Sequence, residues 1–448
     1  MRSWIYKSAV VAALCCRFTG MLAAEADTRW QVGVAKIDIT PSYAIRLTGY
    51  AVRKTESEGV AQQLWAKALA IGSDRESPAI LITVDNCGVP AAIREEVVRR
   101  LANKQLQAER IAVCSSHTHS APWVNGFAPN IFGETIPKEQ QERVDRYTRE
   151  LTDALETVAK KALDETRPAK LTRGQGRADF AANRRTKGGP VDHDLPVLFV
   201  TDPDGKLRAV FASYACHCTT LGGEFNQLCG DWAGYAQENF EKDHPGTIAL
   251  IALGCAADAN PNPRSSLDLA KQHGREIADG INSLLNPALM PVTGKLVCRA
   301  KQIDLPFDSL PTRVEWEARA KETNYAATHA RLNLARLARG EKLPTKLPYM
   351  IQTWVFGDSL AMVFLPGEVV VDYSLRLKKE CDSTRLWINA YANDVPCYIP
   401  SERILKEGGY EGGGAMIYYD WPTQFAPGIE ALIVNAVHEL LPKPFVRD

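Results

Sequence analysis

The sequence RIAVCSSHTHS, residues 110–120, joins an uninterrupted apolar run to two histidines separated by one residue. Strands that are apolar throughout are typical of a sheet that is covered on both faces. In an extended segment, residues i and i+2 point to the same side. We therefore expect His117 and His119 to enter one pocket at the end of a buried strand.

The same arrangement recurs at two further places. LRAVFASYACH, residues 207–217, ends an apolar run at His217, and LAMVFLPGE, residues 360–368, presents Glu368 after a Pro-Gly turn. Histidine nitrogens and carboxylate oxygens are zinc ligands. Taken singly, His217 is also typical of a hydrogen-bonded core residue, and Glu368 of a carboxylate at the start of a helix.

Apolar strand-like runs alternate with amphipathic helical patterns along the whole chain. Residues 139–163, for example, carry apolar side chains at the spacing of one helix face, and residues 311–339 predict an exposed helix or helical hairpin. This alternation predicts an α/β fold with several layers, in which helices cover mixed sheets. We expect one catalytic domain over residues 27–448.

The composition is that of a globular protein, with 45% hydrophobic and 24% charged residues among 448 and a formal net charge of zero. A neutral balance argues against a broad basic surface, so nucleic acid is not an expected partner.

The N-terminus predicts export. Residues 1–26 combine Arg2 and Lys7 with the apolar run SAVVAALCC and small residues at Ala24 and Ala26, which is the layout of a signal peptide. We expect a secreted or periplasmic protein whose mature chain has no transmembrane segment. The nine cysteines that follow lie mostly in apolar runs, and we expect buried free thiols.

In their order along the chain, these motifs resemble the catalytic domain of the neutral (non-lysosomal) ceramidases. The resemblance begins at VGVAKIDITP, residues 32–41, continues through HTHS, residues 117–120, and runs to the C-terminus. Each motif is unspecific alone, and their common order and spacing carry the resemblance.

The resemblance implies one zinc ion held by His117, His217, Glu368 and Tyr398, the last from NDVPCY, residues 393–398. It also implies catalytic or substrate contacts from three further residues: His119, Arg184 in the dipeptide Asn183-Arg184, and Tyr410 in YEGGG. Zinc lowers the pKa of a bound water, and the three further residues are of types that donate hydrogen bonds to an oxyanion or protonate a leaving amine.

Three departures from the family pattern bear on the substrate. The loop DANPN, residues 258–262, places Asn260 where the family has a serine that is sometimes proposed as the nucleophile. An amide cannot be a nucleophile, although Asn260 can hydrogen-bond substrate or oxyanion. Ala121 replaces a glycine, and we expect a chain that ends at Asp448 to lack the immunoglobulin-like domain of the longer members.

The leading expectation is therefore a zinc-dependent hydrolase that cleaves an N-acyl amide bond in ceramide or a related lipid. One alternative keeps the metal and acts on a carbohydrate, either an acylated sugar or a glycan linkage, which exposed aromatic residues such as Trp123 and Trp421 would favour. A second alternative, a binding protein without activity, does not need the four metal ligands.

Overall fold

A computed structural model describes residues 30–73, 76–102, 106–285 and 289–447. The signal peptide expected over residues 1–26 lies outside them. The strands are β1 (Trp30–Asp38), β2 (Trp65–Ser73), β3 (Glu76–Val84), β4 (Ile111–Ser115), β5 (Arg167–Arg177), β6 (Ala181–Asn183), β7 (Asp194–Thr201), β8 (Leu207–Tyr214), β9 (Ile248–Leu253), β10 (Ala259–Pro261), β11 (Met290–Pro291), β12 (Leu296–Pro306), β13 (Lys346–Phe356), β14 (Leu360–Phe364), β15 (Glu368–Val369), β16 (Leu386–Asn389) and β17 (Tyr398–Ile399).

Helices of very different length connect these strands. They are α1 (Ala91–Leu101), α2 (Lys138–Asp164), α3 (Asp231–Asp243), α4 (Leu267–Asn282), α5 (Arg313–Arg319), α6 (Tyr325–Ala338), α7 (Val371–Glu380), α8 (Glu402–Glu407), α9 (Gly409–Gly412) and α10 (Ile429–Leu440). Short 3-10 turns lie at Ala108–Arg110, Gly414–Ile417 and Lys443–Phe445.

Two sheets form the centre of the molecule. The larger has the order β4-β3-β2-β1-β5-β7-β8-β9, with β11 paired to β5, and the smaller has the order β12-β13-β14-β16. Their facing sides share one apolar cluster, in which the Trp30 ring lies edge-on to Phe356 at 5.6 Å. Burial of this interface on both sides explains the continuous apolar runs of the sequence.

Helices cover the outer faces of both sheets. Helix α2 packs on β1 and β2, α3 packs on β9, and α10 packs on β12 and β13. The buried residues of α2, from Val144 to Ala162, recur at the helical period, so one face of the helix meets the sheet. The predicted layered α/β fold with mixed sheets is confirmed.

Most sequence-predicted elements agree with the structure to within two residues, including α2 and strand β8. The segment predicted as a helical hairpin contains α5 and α6. The sequence did not predict β5 or β12, because both carry many exposed polar residues and no apolar run.

The cysteines agree with the expected buried thiols. Eight are buried and form no disulfide: Cys87, Cys114, Cys216, Cys218, Cys229, Cys255, Cys381 and Cys397. None of the described helices combines the length and the apolar character that a membrane crossing requires.

Parallel pairs of strands decide where the candidate residues lie. Four pairs are parallel, β3–β4, β8–β9, β14–β16 and β15–β17. His117 follows β4, His217 follows β8, and Glu368 and Tyr398 lie within β15 and β17. His117 and His217 therefore lie beyond the carboxyl ends of buried parallel strands, where α/β folds place their sites.

Backbone hydrogen bonds join the two sheets at this point. Asn393 N donates to the carbonyl oxygen of Val113 at 2.7 Å, and Ser115 N donates to that of Tyr391 at 3.1 Å. The chain that leaves β16 therefore pairs with the free edge of β4, and this contact brings the Glu368 region beside His117.

Candidate metal centre

His117 and His217 are held in the same way. The Nδ1 atom of His117 lies 2.5 Å from the carbonyl oxygen of Cys87, and that of His217 lies 2.7 Å from the carbonyl oxygen of Ala256. A carbonyl oxygen only accepts, so each Nδ1 carries the hydrogen. In a neutral imidazole the Nε2 atom is then a bare lone pair, which is the usual state of a metal-binding histidine.

Both lone pairs point at one carboxylate oxygen. Glu368 Oε2 lies 3.3 Å from Nε2 of His117 and 3.1 Å from Nε2 of His217, and all three side chains are buried. Between neutral imidazoles these three acceptor atoms repel one another in a medium of low dielectric, and either a proton on His117 or a bound cation relieves that repulsion. A cation between them removes that conflict, so the donor set fits a metal ion.

The electrostatics of the three groups attract positive charge to this point. Burial lowers the pKa of His117, but the negative charges of Cys87 and Glu368 outweigh it and raise the pKa to about 10. Burial and the guanidinium of Arg184 lower the pKa of His217 to about 4. Burial raises the pKa of Glu368, yet the two histidines bring it well below its usual range.

Tyr398 adds an oxygen next to Glu368. The two residues are register partners in the parallel strands β15 and β17, and Tyr398 lines the same cavity as His117 and Glu368. The phenol oxygen of Tyr398 accepts a hydrogen bond from Arg184 Nη2 at 3.1 Å. All four ligands that the resemblance implied therefore lie in or around one buried cavity.

Arg184 connects several of these groups. Its Nη1 atom lies 3.4 Å from Asn260 Oδ1 and 3.4 Å from His217 Nε2, while its Nε donates to Glu411 Oε1 at 2.8 Å. Glu411 is buried and also accepts from Arg185. One carboxylate thus fixes the guanidinium that faces the site.

His119 reaches the cavity from a turn rather than from an extended strand. The prediction that His117 and His119 share a pocket is correct, with Nε2 atoms 3.1 Å apart, but its geometric reason is wrong. His117 has a φ of 54°, in the left-handed region, and the strand has already ended at Ser115. Burial, followed by the positive charges of His117 and His217, holds the pKa of His119 well below its usual value.

The other two predicted residues both adjoin Arg184. Asn260 sits in strand β10, where its amide oxygen also accepts from Thr219 Oγ1 at 3.3 Å. Tyr410 is 47% exposed, with its ring 5.1 Å from that of Tyr398. Asn260 therefore contacts the site through Arg184, whereas Tyr410 lines the cavity itself.

The cavity has a volume of about 180 Å³ and two kinds of lining residue. One kind is polar, with His117, His119 and Glu368, and the other is apolar or aromatic, with Ala51, Phe127, Ala128, Ile131 and Tyr418. Val52, next to Ala51 in sequence, is 71% exposed. A cavity with this apolar and aromatic lining is suited to an apolar chain.

The two tryptophans that would have favoured a sugar substrate do not present exposed rings on which a sugar could stack at this cavity. Trp123 is 7% exposed and donates its indole N–H to the carbonyl oxygen of Phe127. Trp421 is half-buried and donates to that of Pro396.

Several residues of the site were missed by the sequence reasoning. Tyr419 donates a hydrogen bond to Glu368, Tyr391 packs on the ring of His117, and Cys87 supplies the carbonyl oxygen for His117. Glu411 lies in the motif YEGGG, and nothing in that motif indicates its ion pair with Arg184. Near Tyr419 the sequence shows only the pair Tyr418-Tyr419, and this pair does not match a metal-binding pattern.

A family model and a curated relative assign the chain to the same family. The family model "Neutral/alkaline non-lysosomal ceramidase, N-terminal" matches residues 30–265. A curated relative, neutral ceramidase B of Dictyostelium discoideum, is 25% identical over 267 residues. That alignment covers 53% of this chain and only 36% of the relative.

Two solved structures share the fold. Neutral ceramidase from Pseudomonas aeruginosa superposes with a TM-score of 0.73 at 21% identity, covering 93% of this chain and 75% of that one. A structure described as "Ceramidase complexed with C2" gives 0.72 at 18% identity, covering 94% and 77%. At these identities the likeness establishes the fold.

Proposed function

The chain belongs to the neutral/alkaline non-lysosomal ceramidase family, and from this premise we propose that it is an exported zinc-dependent hydrolase of N-acyl amide bonds in ceramide or a related lipid. The proposed metal ligands are His117, His217, Glu368 and Tyr398. One observation carries the proposal most strongly: two buried histidines, each with its Nδ1 atom on a backbone carbonyl oxygen, direct their Nε2 atoms at Glu368 Oε2.

Two nitrogen and two oxygen donors form a ligand set that suits zinc. When bound there, zinc supplies an activated water and a Lewis acid for a carbonyl group. The tyrosine oxygen is an unusual zinc donor, and the hydrogen bond from Arg184 stabilises negative charge on it.

The remaining residues at the site can transfer the proton and stabilise the negative charge that amide hydrolysis requires. His119 is buried and neutral, so it can accept a proton from the attacking water and then pass that proton to the leaving amine. Arg184 directs fixed N–H donors towards the polar residues of the site, where negative charge develops on the carbonyl oxygen. Tyr410 offers a hydroxyl at the cavity, and Asn260 orients Arg184.

The apolar and aromatic lining of the cavity supports a lipid as the substrate. An acyl or sphingoid chain can lie along Ala51, Phe127, Ile131 and Tyr418 while the amide reaches the polar residues. The carbohydrate alternative is not favoured, since Trp123 is buried and the Trp421 indole N–H is used within the protein.

We also propose that residues 27–448 form one catalytic domain and that residues 1–26 direct export. The hydrogen bonds between residues 391–393 and β4 support the first part, because they make the second sheet a direct partner of the first.

The test is zinc content together with hydrolysis of a fluorescent N-acylsphingosine, on the wild type and on His117→Ala. The matched control is His193→Ala, a partly buried histidine on the Ala178 carbonyl, away from the cavity. We expect one zinc per chain and hydrolysis in the wild type and the control, and neither in His117→Ala. A wild type that holds zinc without cleaving the amide would refute the lipid substrate, and one without metal would refute the hydrolase.

A further inference from the structure

The carboxylate of Glu368 has two differently used oxygens. Oε2 faces the two histidines, whereas Oε1 accepts a hydrogen bond from the phenol hydroxyl of Tyr419. Both side chains are buried, and Tyr419 lies 51 residues further along the chain. Among the described residues, no other side chain is seen to donate to Oε1.

We propose that Tyr419 is a positioning residue that holds Glu368 in the orientation in which only Oε2 binds the metal. This inference rests on the zinc site proposed above. A hydroxyl that meets a carboxylate can only donate, so the bond occupies Oε1 and leaves the Oε2 lone pairs free. Partners of this kind orient metal ligands and raise metal affinity.

Aromatic packing fixes the direction of the Tyr419 hydroxyl. The ring lies edge-on to Phe127 with centroids 6.0 Å apart, and edge-on to Tyr398 at 6.3 Å. Tyr398 is itself a proposed ligand. Tyr419 therefore contacts both oxygen donors of the proposed site, one through its hydroxyl and the other through its ring.

The backbone of Tyr419 is anchored from outside the cavity. The next residue, Asp420, has a φ of 63° and forms an ion pair with Arg336 of α6, with an Nη1–Oδ1 distance of 2.9 Å. The α5–α6 hairpin thereby reaches the metal site through Arg336, Asp420 and Tyr419. A segment that the sequence presents as an exposed insertion thus has a specific contact with the site.

The central experiment measures the zinc dissociation constant by chelator competition in the wild type, Tyr419→Phe and Tyr418→Phe. The second variant removes the neighbouring hydroxyl, which does not reach Glu368. We expect zinc to bind about 10- to 100-fold more weakly to Tyr419→Phe and with unchanged affinity to Tyr418→Phe. Urea unfolding of the metal-free proteins checks that both variants fold.

A further variant, Arg336→Gln, tests the same role of Tyr419 in case Tyr419→Phe does not fold stably. Arg336→Gln removes the anchor of Asp420 without touching the cavity, and we expect about fivefold weaker zinc binding. The same substitution in the Tyr419→Phe background should then have no further effect on zinc affinity.

The outcomes separate this inference from the proposed function. Zinc binding in the wild type with the same affinity in Tyr419→Phe overturns the role of Tyr419 and leaves the zinc site standing. A wild type that binds no zinc overturns both.

Discussion

Glu368 and Tyr398 lie opposite each other in the register of the parallel strands β15 and β17, each of which is only two residues long. Gly367, with a φ of 83°, makes the turn into β15, and its N–H donates to the carbonyl oxygen of Asp394. The relative position of the two candidate oxygen ligands is therefore set by backbone pairing. Their side chains need little further adjustment to share one ion.

Gly49→Ala should disturb His119 without removing the metal. A Cβ at Gly49 would lie 2.4 Å from Cγ of His119, so the imidazole must move. We expect kcat/KM for the N-acylsphingosine to fall by about 100-fold, with one zinc retained per chain. The matched control is Gly246→Ala, whose positive φ of 88° imposes the same backbone strain in open space. Equal losses in the two variants would show that strain, and not His119, is responsible.

Glu411→Gln should destabilise the protein by removing the partner of a largely buried guanidinium. The Arg184 side chain is 20% exposed and that of Glu411 is 5% exposed. We expect urea unfolding to show a loss of roughly 3 kcal/mol. Glu407→Gln removes a more exposed partner of Arg185 and should cost under about 1 kcal/mol. A comparable loss in both variants would contradict a special role for the Glu411 pair.

Asn260→Ala should lower kcat/KM by about 10- to 100-fold, because Arg184 loses a buried acceptor. Thr219→Val removes only the other hydrogen bond to the same amide oxygen, and we expect a loss of about fivefold. Zinc content should remain unchanged in both. If Thr219→Val were as damaging as Asn260→Ala, the contact with Arg184 would not be the important one.

The stability of the protein should decrease below about pH 6.5 through His329 of α6. Burial lowers the pKa of this histidine to about 4, so the unfolded chain binds a proton over a range in which the native protein does not. The contribution of His329 to the free energy of unfolding is then constant above about pH 6.5 and falls by about 3 kcal/mol as the pH decreases to about 4.

The check is urea unfolding of the wild type and His329→Gln at several values between about pH 7 and about pH 4.5. The variant lacks the titrating group, so its stability should fall less over this interval. Parallel profiles would assign the acid sensitivity to other groups.

The sequence predicted the fold where strands are buried on both faces, as in β8 and β14, because their apolar runs are unambiguous. It missed β12, whose residues alternate between partly buried and exposed and include several charges. Propensity and apolar pattern do not identify such a strand, since its stability comes from pairing with β13.

The candidate site was predictable to the extent that its residues follow strand ends or match a family motif. His117, His217, Glu368, Tyr398 and Arg184 were all named in this way, and they lie around one cavity. Tyr419 was not, because no local pattern links a tyrosine to a carboxylate 51 residues away. Glu411 was overlooked for a similar reason: its partner is Arg184, which is 227 residues distant.

The pairing of residues 391–393 with β4 has a consequence for synthesis of the chain. Val113 exchanges hydrogen bonds with Asn393, which is translated 280 residues later. Until then the apolar edge of Ile111–Ser115 has no partner on that side and is open to pairing with other chains. The nascent protein therefore leaves the ribosome with an unpaired apolar strand edge, and its yield should depend on chaperones that protect this strand until residues 391–393 have been translated.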